Sequence, residues 1–201
     1  MIEFGWLLTY FCVMSPEPGV VSVRRARPED VGRLQAIQLA AGYAFRDIGM
    51  PAVAESPPLP ADSLTGYRQE GGAWVAADEH DEPVGFVVAD VVDGCAHIEQ
   101  VSVHPGHAGH RIGAMLLDHV AGWAARHQLR ALTLVTFRGV PWNAPYYERL
   151  GFAELLPADV TPGLAARKAV KAARGGDSSA LVCMLRGLGD AGVPPDGDAE
   201  T

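Results

Sequence analysis

Cysteine is scarce in this chain and carries no pattern. Cys12, Cys95 and Cys183 lie far apart, odd in number and without a CxxC pair. That spacing argues against a disulfide framework or a zinc site and makes a reducing cytoplasm the default compartment. Long apolar runs are missing too. The best candidate, residues 4–14, is too short for a bilayer, which takes about 20 residues. Its only early charge is Glu3, so it lacks the basic start of a secretory signal. Positive charge is in deficit: 16 Lys and Arg stand against 24 Asp and Glu, for a net charge of −8. A nucleic-acid binder would show a basic face, and a membrane module a long amphipathic one. The acidic balance fits a cationic acceptor better, although whole-chain charge says little about one cleft.

What is present is ordinary for a globular protein: 48% hydrophobic and 20% charged residues in a chain of 201. That length suits one domain with a full core. Residues 20–188 hold the periodic segments. Residues 1–19 read as an extension, either from an upstream start codon, the preferred reading, or as an extra element packing on the domain. Residues 189–201 are rich in Gly, Pro and Asp and read as a disordered tail. No internal repeat is visible.

The pattern along the chain is mixed α/β. Residues 20–26 alternate as a strand. Pro28-Glu29-Asp30 opens a helix that should run to about Gly42, with Val31, Leu34, Ile37 and Ala41 on one face. Residues 43–60 look irregular, and a short helix is expected at 61–69. Strands follow at 73–77, 84–92 and 95–103, with Asp93-Gly94 as a hairpin turn because both residues tolerate positive φ. A helix spans about 110–127, with Ile112, Met115, Leu116, Val120 and Trp123 as its apolar stripe. Residues 132–137 form a buried strand. Residues 143–150 form a short helix, with Asn143 suited to the N-cap and Pro145 in the first turn. Phe152–Leu155 and Ser179–Leu185 should return as strands. Between them, residues 163–173 form a basic helix, read as a solvated face.

Three segments carry chemistry. The first is Ala108-Gly109-His110-Arg111-Ile112-Gly113, between a strand and a helix. Backbone N–H groups at a helix N-terminus converge there, and glycine permits close approach, as a phosphate cradle requires. The second is the preceding strand, His97 to Val103. The third is Val140 to Phe152, which ends Tyr147-Glu148-Arg149-Leu150-Gly151-Phe152.

Taken in order, residues 20–155 resemble the GNAT N-acetyltransferase superfamily. The family's pyrophosphate signature is Arg/Gln-x-x-Gly-x-Gly/Ala. This chain departs from it at Ala108, which replaces Arg/Gln, and at Arg111, which replaces the first Gly. The third segment matches the family's Tyr-Glu-Lys-Leu-Gly-Phe more closely. The resemblance implies a GNAT fold over 20–188, with a twisted, mostly antiparallel sheet of six to seven strands and about four helices. It implies an acetyl-CoA-dependent N-acetyltransferase that acts by direct attack of a primary amine. The amine would belong to a small molecule or a peptide, and a homodimer would be common among relatives. In this reading the backbone of Val101, Ser102 and Val103 meets the pantetheine arm. Gly109, His110, Arg111, Ile112, Gly113 and Ala114 meet the diphosphate, and Asn143 bonds the pantetheine or the strand split. Glu99 is the general base and Tyr147 the acid that reprotonates the CoA thiolate.

Plainer readings stand beside these. Glu99 could be a surface carboxylate or an ion-pair partner, and Tyr147 a packed aromatic with a wet hydroxyl. A CoA-binding domain without turnover is the alternative function. His104, His107 and His110 recur every third residue, but they span a loop entering a helix and share no face, so no metal is expected. Asp47, Glu55 and Asp62 lie where an acceptor pocket could form, or are simply solvated. Trp74 and Trp142 read as core or pocket wall.

Overall fold

The computed structural model describes residues 20–173 and 179–188. The extension over 1–19 and the tail over 189–201 lie outside the described residues. The chain runs β1 (Ser22–Arg25), α1 (Val31–Gly42), α2 (Pro51–Ala54), α3 (Ala61–Gln69), β2 (Ala73–Ala77), β3 (Pro83–Val92) and β4 (Cys95–Val103). It continues with α4 (Ile112–Arg126), β5 (Ala131–Phe137), α5 (Ala144–Arg149), β6 (Ala153–Glu154), α6 (Pro162–Ala173) and β7 (Leu181–Gly187). Seven strands form one sheet in the order β1-β2-β3-β4-β5-β7-β6. Every neighbouring pair is antiparallel except β4 and β5.

Local sequence explains most of these elements. Asp93 and Gly94 take φ of 50° and 74°, the left-handed pair that a two-residue hairpin between β3 and β4 needs. Asp30 is buried at the start of α1, where its carboxylate accepts from the Arg27 N–H at 2.7 Å and from Arg24 at 2.8 Å. That bond ties the helix start to β1.

The two faces of the sheet carry separate cores. On one, α4 packs Ile112, Leu116, Leu117, Val120 and Trp123 over Trp74, Val87, Ile98, Leu132, Leu134 and Met184. On the other, Leu34 and Ile37 of α1 and Leu64 of α3 cover Val75, Phe86 and Val88. Further along that face, Leu164 of α6 covers Val135, Phe137, Leu181 and Cys183. Burying side chains of this size contributes roughly 1.5–3 kcal/mol each.

The sheet has seven strands, within the expected six to seven, and the described residues hold six α-helices, two of them under seven residues long, where about four were expected. The stretch expected to be irregular holds a 3-10 turn over Tyr43–Ile48 and the short α2. Prolines that break long helices still permit these short turns, because Pro51 sits in the first turn where its missing N–H has no partner to lose. The last strand runs two residues later than expected, and the first is shorter at both ends.

Candidate active site

Strands β4 and β5 pair over only three rungs, Ala96–Leu132, His97–Thr133 and Ile98–Leu134. Beyond Ile98, β4 stays with β3 while Val135–Phe137 stay with β7, so a wedge opens between them. A β-bulge sits at the mouth. Val88 faces Gln100 and Ala89 faces Ile98, which leaves Glu99 as the extra residue. The bulge resets the side-chain alternation. Ala96 and Ile98 belong to the α4 core, and past the bulge so do Val101 and Val103. Ser102 points the other way, is buried, and accepts from Gln100 Nε2 at 2.9 Å.

The loop after β4 builds a donor cluster. His104 turns back, its Nδ1 accepting from the Gly106 N–H at 3.2 Å. Gly109 takes φ of 83° and Arg111 φ of 58° before α4 begins. The position at which the family carries its first Gly therefore adopts the left-handed region even with arginine present, at a cost of about 1 kcal/mol. The first bond into the helix runs from Met115 N to Arg111 O at 3.0 Å, so the N–H groups of Ile112, Gly113 and Ala114 have no helical acceptor. Gly113 is needed there for a second reason: a Cβ on it would lie 2.8 Å from the Tyr146 hydroxyl oxygen. Free N–H groups, two left-handed residues and a Cβ-free surface fit a diphosphate.

The third segment packs against both. The Asn143 carbonyl accepts from Tyr146 N at 2.8 Å and Tyr147 N at 3.0 Å, starting α5. Asn143 takes the expected N-cap position, but with φ −112° and ψ −114° its backbone departs from the extended form usual there and its side chain makes no capping bond. Tyr147 packs edge-on against Phe152, with ring centroids 5.7 Å apart, and against Tyr146 at 5.5 Å. Burial pushes the Tyr147 hydroxyl well above the usual phenol range. It is therefore protonated at neutral pH and able to donate.

On the far side of the wedge, Glu99 is an ion-pair partner. Its carboxylate accepts from Arg167 Nη1 of α6 at 3.3 Å and lies 3.9 Å from His97 Nε2. Arg167 also bonds Asp90 of β3, and the Tyr67 hydroxyl of α3 faces the same guanidinium. Burial, then the Glu99 and Asp90 charges, push Tyr67 up to about 12. Burial also raises Asp90 against the pull of Arg167. His97 is 2% exposed, with Nδ1 3.1 Å from Thr133 Oγ1. Burial, then Arg167 and Lys171, push it down to about 3, so it is neutral. Lys171 donates to the Val135 carbonyl at 2.8 Å.

Helix α6 is thus not a solvated basic face. Leu164, Arg167 and Lys171 stand at i, i+3 and i+7, one helical stripe aimed at the sheet, and that spacing was the available signal. Tyr146 was missed as well, because residue spacing alone does not show its hydroxyl crossing to Gly113.

Of the other candidates, Trp142 reaches the β5 wall of the wedge through Phe45, whose ring lies 5.9 Å from that of Phe137. Glu55 pairs with Arg46 at 3.0 Å in the open, and Asp47 and Asp62 are exposed. Trp74 is core, whereas Trp142 is 39% exposed and stacks edge-on against Phe45. His104 and His107 rings pack 6.2 Å apart, and among the described residues no three His, Cys, Asp or Glu side chains gather as metal ligands would.

Comparison with known proteins decides the family. The model of the Acetyltransferase (GNAT) family matches residues 41–152, more than half of the chain. The chain belongs to the GNAT acetyltransferase family. This domain is an N-acetyltransferase domain with acetyl-CoA as co-substrate. It is similar to the peptidyl-lysine N-acetyltransferase YjaB of Escherichia coli K12, 30% identical over 105 residues, 52% of this chain and 67% of that protein. The Salmonella typhimurium protein of the same description is 34% identical over 101 residues, 50% of this chain and 64% of its own. The chain thus spans about two thirds of the length of these relatives. The PaiA N-acetyltransferase of Thermoplasma acidophilum, solved with coenzyme A, shares the fold at a TM-score of 0.60 and 15% identity, over 84% of this chain and 99% of that one.

Proposed function

We propose that this protein transfers an acetyl group from acetyl-CoA to a primary amine on a flexible chain, with a lysine side chain of a peptide as the leading acceptor. The observation that carries the reading is the wedge. Backbone groups of Val101–Val103 line one wall, Tyr147 stands on the α4 side, and Glu99 stands at the bulge on the other. The pantetheine arm would lie along Val101, Ser102 and Val103, with Asn143 beside it. The diphosphate would rest on the N–H groups of Gly109, His110, Arg111, Ile112, Gly113 and Ala114.

The step then balances simply. The amine nitrogen forms a bond to the thioester carbonyl carbon, and the carbon–sulfur bond breaks. Glu99 takes the proton the amine loses, directly or through a water. Tyr147 gives a proton to the departing thiolate. The similarity to proteins described as peptidyl-lysine N-acetyltransferases supports the choice of lysine. Residues 20–188 are the catalytic domain in this reading. Action in the cytoplasm suits the two buried, unpaired thiols Cys95 and Cys183.

The test is thiol release from acetyl-CoA with a panel of lysine peptides and small amines, on the wild type, Glu99→Gln and Tyr147→Phe. Each variant is expected to lose about 10²- to 10⁴-fold in kcat, the range for one positioned acid or base. Full activity in both would overturn the assignment. Acetyl-CoA binding without release for any amine would instead favour a binding domain.

A further inference from the structure

One cluster beside the wedge is built more elaborately than a general base requires. Asp90 of β3 and Glu99 of β4 supply two carboxylates from the sheet, and Tyr67 of α3 supplies a hydroxyl. Two cations reaching the sheet here, Arg167 and Lys171, come from α6. The carboxylates are largely buried, at 21% and 17% side-chain exposure. Buried carboxylates are stable only with a cation in place. The seat nevertheless is not saturated: among the described residues, Asp90 Oδ1 is buried without a hydrogen-bond partner.

Helix α6 is held differently at its two ends. Leu164 is its one fully buried residue among the described ones; its first turn is tied to the β3–β4 turn, where the Asp93 carboxylate accepts from the Gly163 N–H at 2.8 Å, and its later turns meet the sheet through Arg167 and Lys171.

We propose that Asp90, Glu99 and Tyr67 form the seat for the acceptor's cation, and that Arg167 is its resident occupant. A primary ammonium on an unbranched chain displaces Arg167 and delivers its nitrogen to Glu99. The inference rests on the proposed function in taking Glu99 as the base. Arginine suits the placeholder role for a chemical reason. Its guanidinium stays protonated at any working pH, so it occupies the seat without becoming a nucleophile. An ammonium binds the same carboxylates yet can give up its proton to Glu99. Small neutral amines and anionic acceptors have nothing to offer the pair and would leave Arg167 where it is. The seat therefore selects for charge, and the apparent affinity for acceptor includes the displacement of the Arg167 guanidinium.

The proposal is tested on the full chain in two ways. In steady-state kinetics with a blocked lysine peptide, Arg167→Gln is expected to lower KM about tenfold, as removal of a competing occupant does, with kcat within about twofold. Asp90→Asn is expected to raise KM by a similar factor with acetyl-CoA affinity unchanged. If Arg167→Gln instead lowers kcat and leaves KM alone, Arg167 positions Glu99 and the placeholder role is wrong. The second measurement needs no turnover and no variant. Hydrogen exchange of the amides over residues 162–173 is followed in the wild type with saturating spermidine or the same peptide. Faster exchange in α6 is expected. Unchanged exchange would overturn the proposal even if the protein acetylates lysine. Loss of all acetylation alongside faster exchange would count against the proposed function alone.

Discussion

His97 offers a quantitative handle on the polar layer under α6. The ring is 2% exposed, bonded to Thr133 at 3.1 Å, and faces Arg167 and Lys171. Glu99 at 3.9 Å pulls toward the charged form, but burial and the two cations outweigh it and hold the pKa near 3. In the unfolded chain the same imidazole titrates near 6.5. A depressed folded value means that the stability it contributes is complete above 6.5 and is lost as pH falls toward about 3. The slope is about 1.4 kcal/mol per pH unit inside that window. From pH 6.5 to pH 5 the loss is then roughly 2 kcal/mol, set against a typical total stability of about 5–15 kcal/mol. The assay is urea unfolding at half-unit steps from pH 7.5 to 4.5 for the wild type and His97→Gln. Other carboxylates contribute to each curve, but the difference between the curves isolates His97. The difference should be flat above pH 6.5 and then change by about 1.4 kcal/mol per unit in favour of the variant. Parallel curves would mean that the ring protonates freely in the folded state and that the buried, cation-facing description is wrong.

Other predictions concern the cradle and the core. Gly113→Ala should weaken acetyl-CoA binding several-fold, because the new methyl meets the Tyr146 hydroxyl at 2.8 Å, and Tyr146→Phe in the same chain should restore it; calorimetric titration of the two variants decides. Arg111→Gly relieves a left-handed arginine and should raise or preserve stability, by up to about 1 kcal/mol, in a thermal melt without ligand. A loss of that size would show that the Arg111 side chain holds the loop. Phe152→Ala should cost about 3–5 kcal/mol, since the ring is 3% exposed and stacked on Tyr147, and should lower kcat through the loosened phenol. A kcat unchanged in the folded fraction would separate Tyr147 from catalysis.

Much of this architecture could be read from residues alone, for identifiable reasons. The β3–β4 hairpin was legible because Asp93 and Gly94 are residues that tolerate left-handed backbone, and both adopt it. The helix over 61–69 appeared with the expected bounds. The wedge was expected only through family resemblance, because a strand pair that stops after three rungs leaves no local trace. The partners of Glu99 were illegible for the opposite reason. Arg167 lies 68 positions away, and a basic helix viewed alone looks like a surface. Its inward stripe is amphipathic in an inverted sense, charged residues sharing the buried side with Leu164. Arg111 shows the limit of motif matching, since the backbone shape persists where the glycine that usually permits it is gone.

The three rungs between β4 and β5 have a consequence for mechanical integrity. They are the only strand-to-strand seam joining the four strands on one side of the sheet to the three on the other among the described residues. Helix α4 spans that seam, packing on Val87 and Ile98 from one side and Leu132 and Met184 from the other. The two halves therefore behave as plates joined along a short weld and braced on both faces, by α4 on one and by α6 on the other, where Arg167 reaches β3 and β4 while Lys171 and Leu164 hold β5. A pantetheine arm lying in the wedge would lengthen the weld. Occupancy by acetyl-CoA should then register far from the thioester, as slower amide exchange at both the β3 and β7 ends of the sheet.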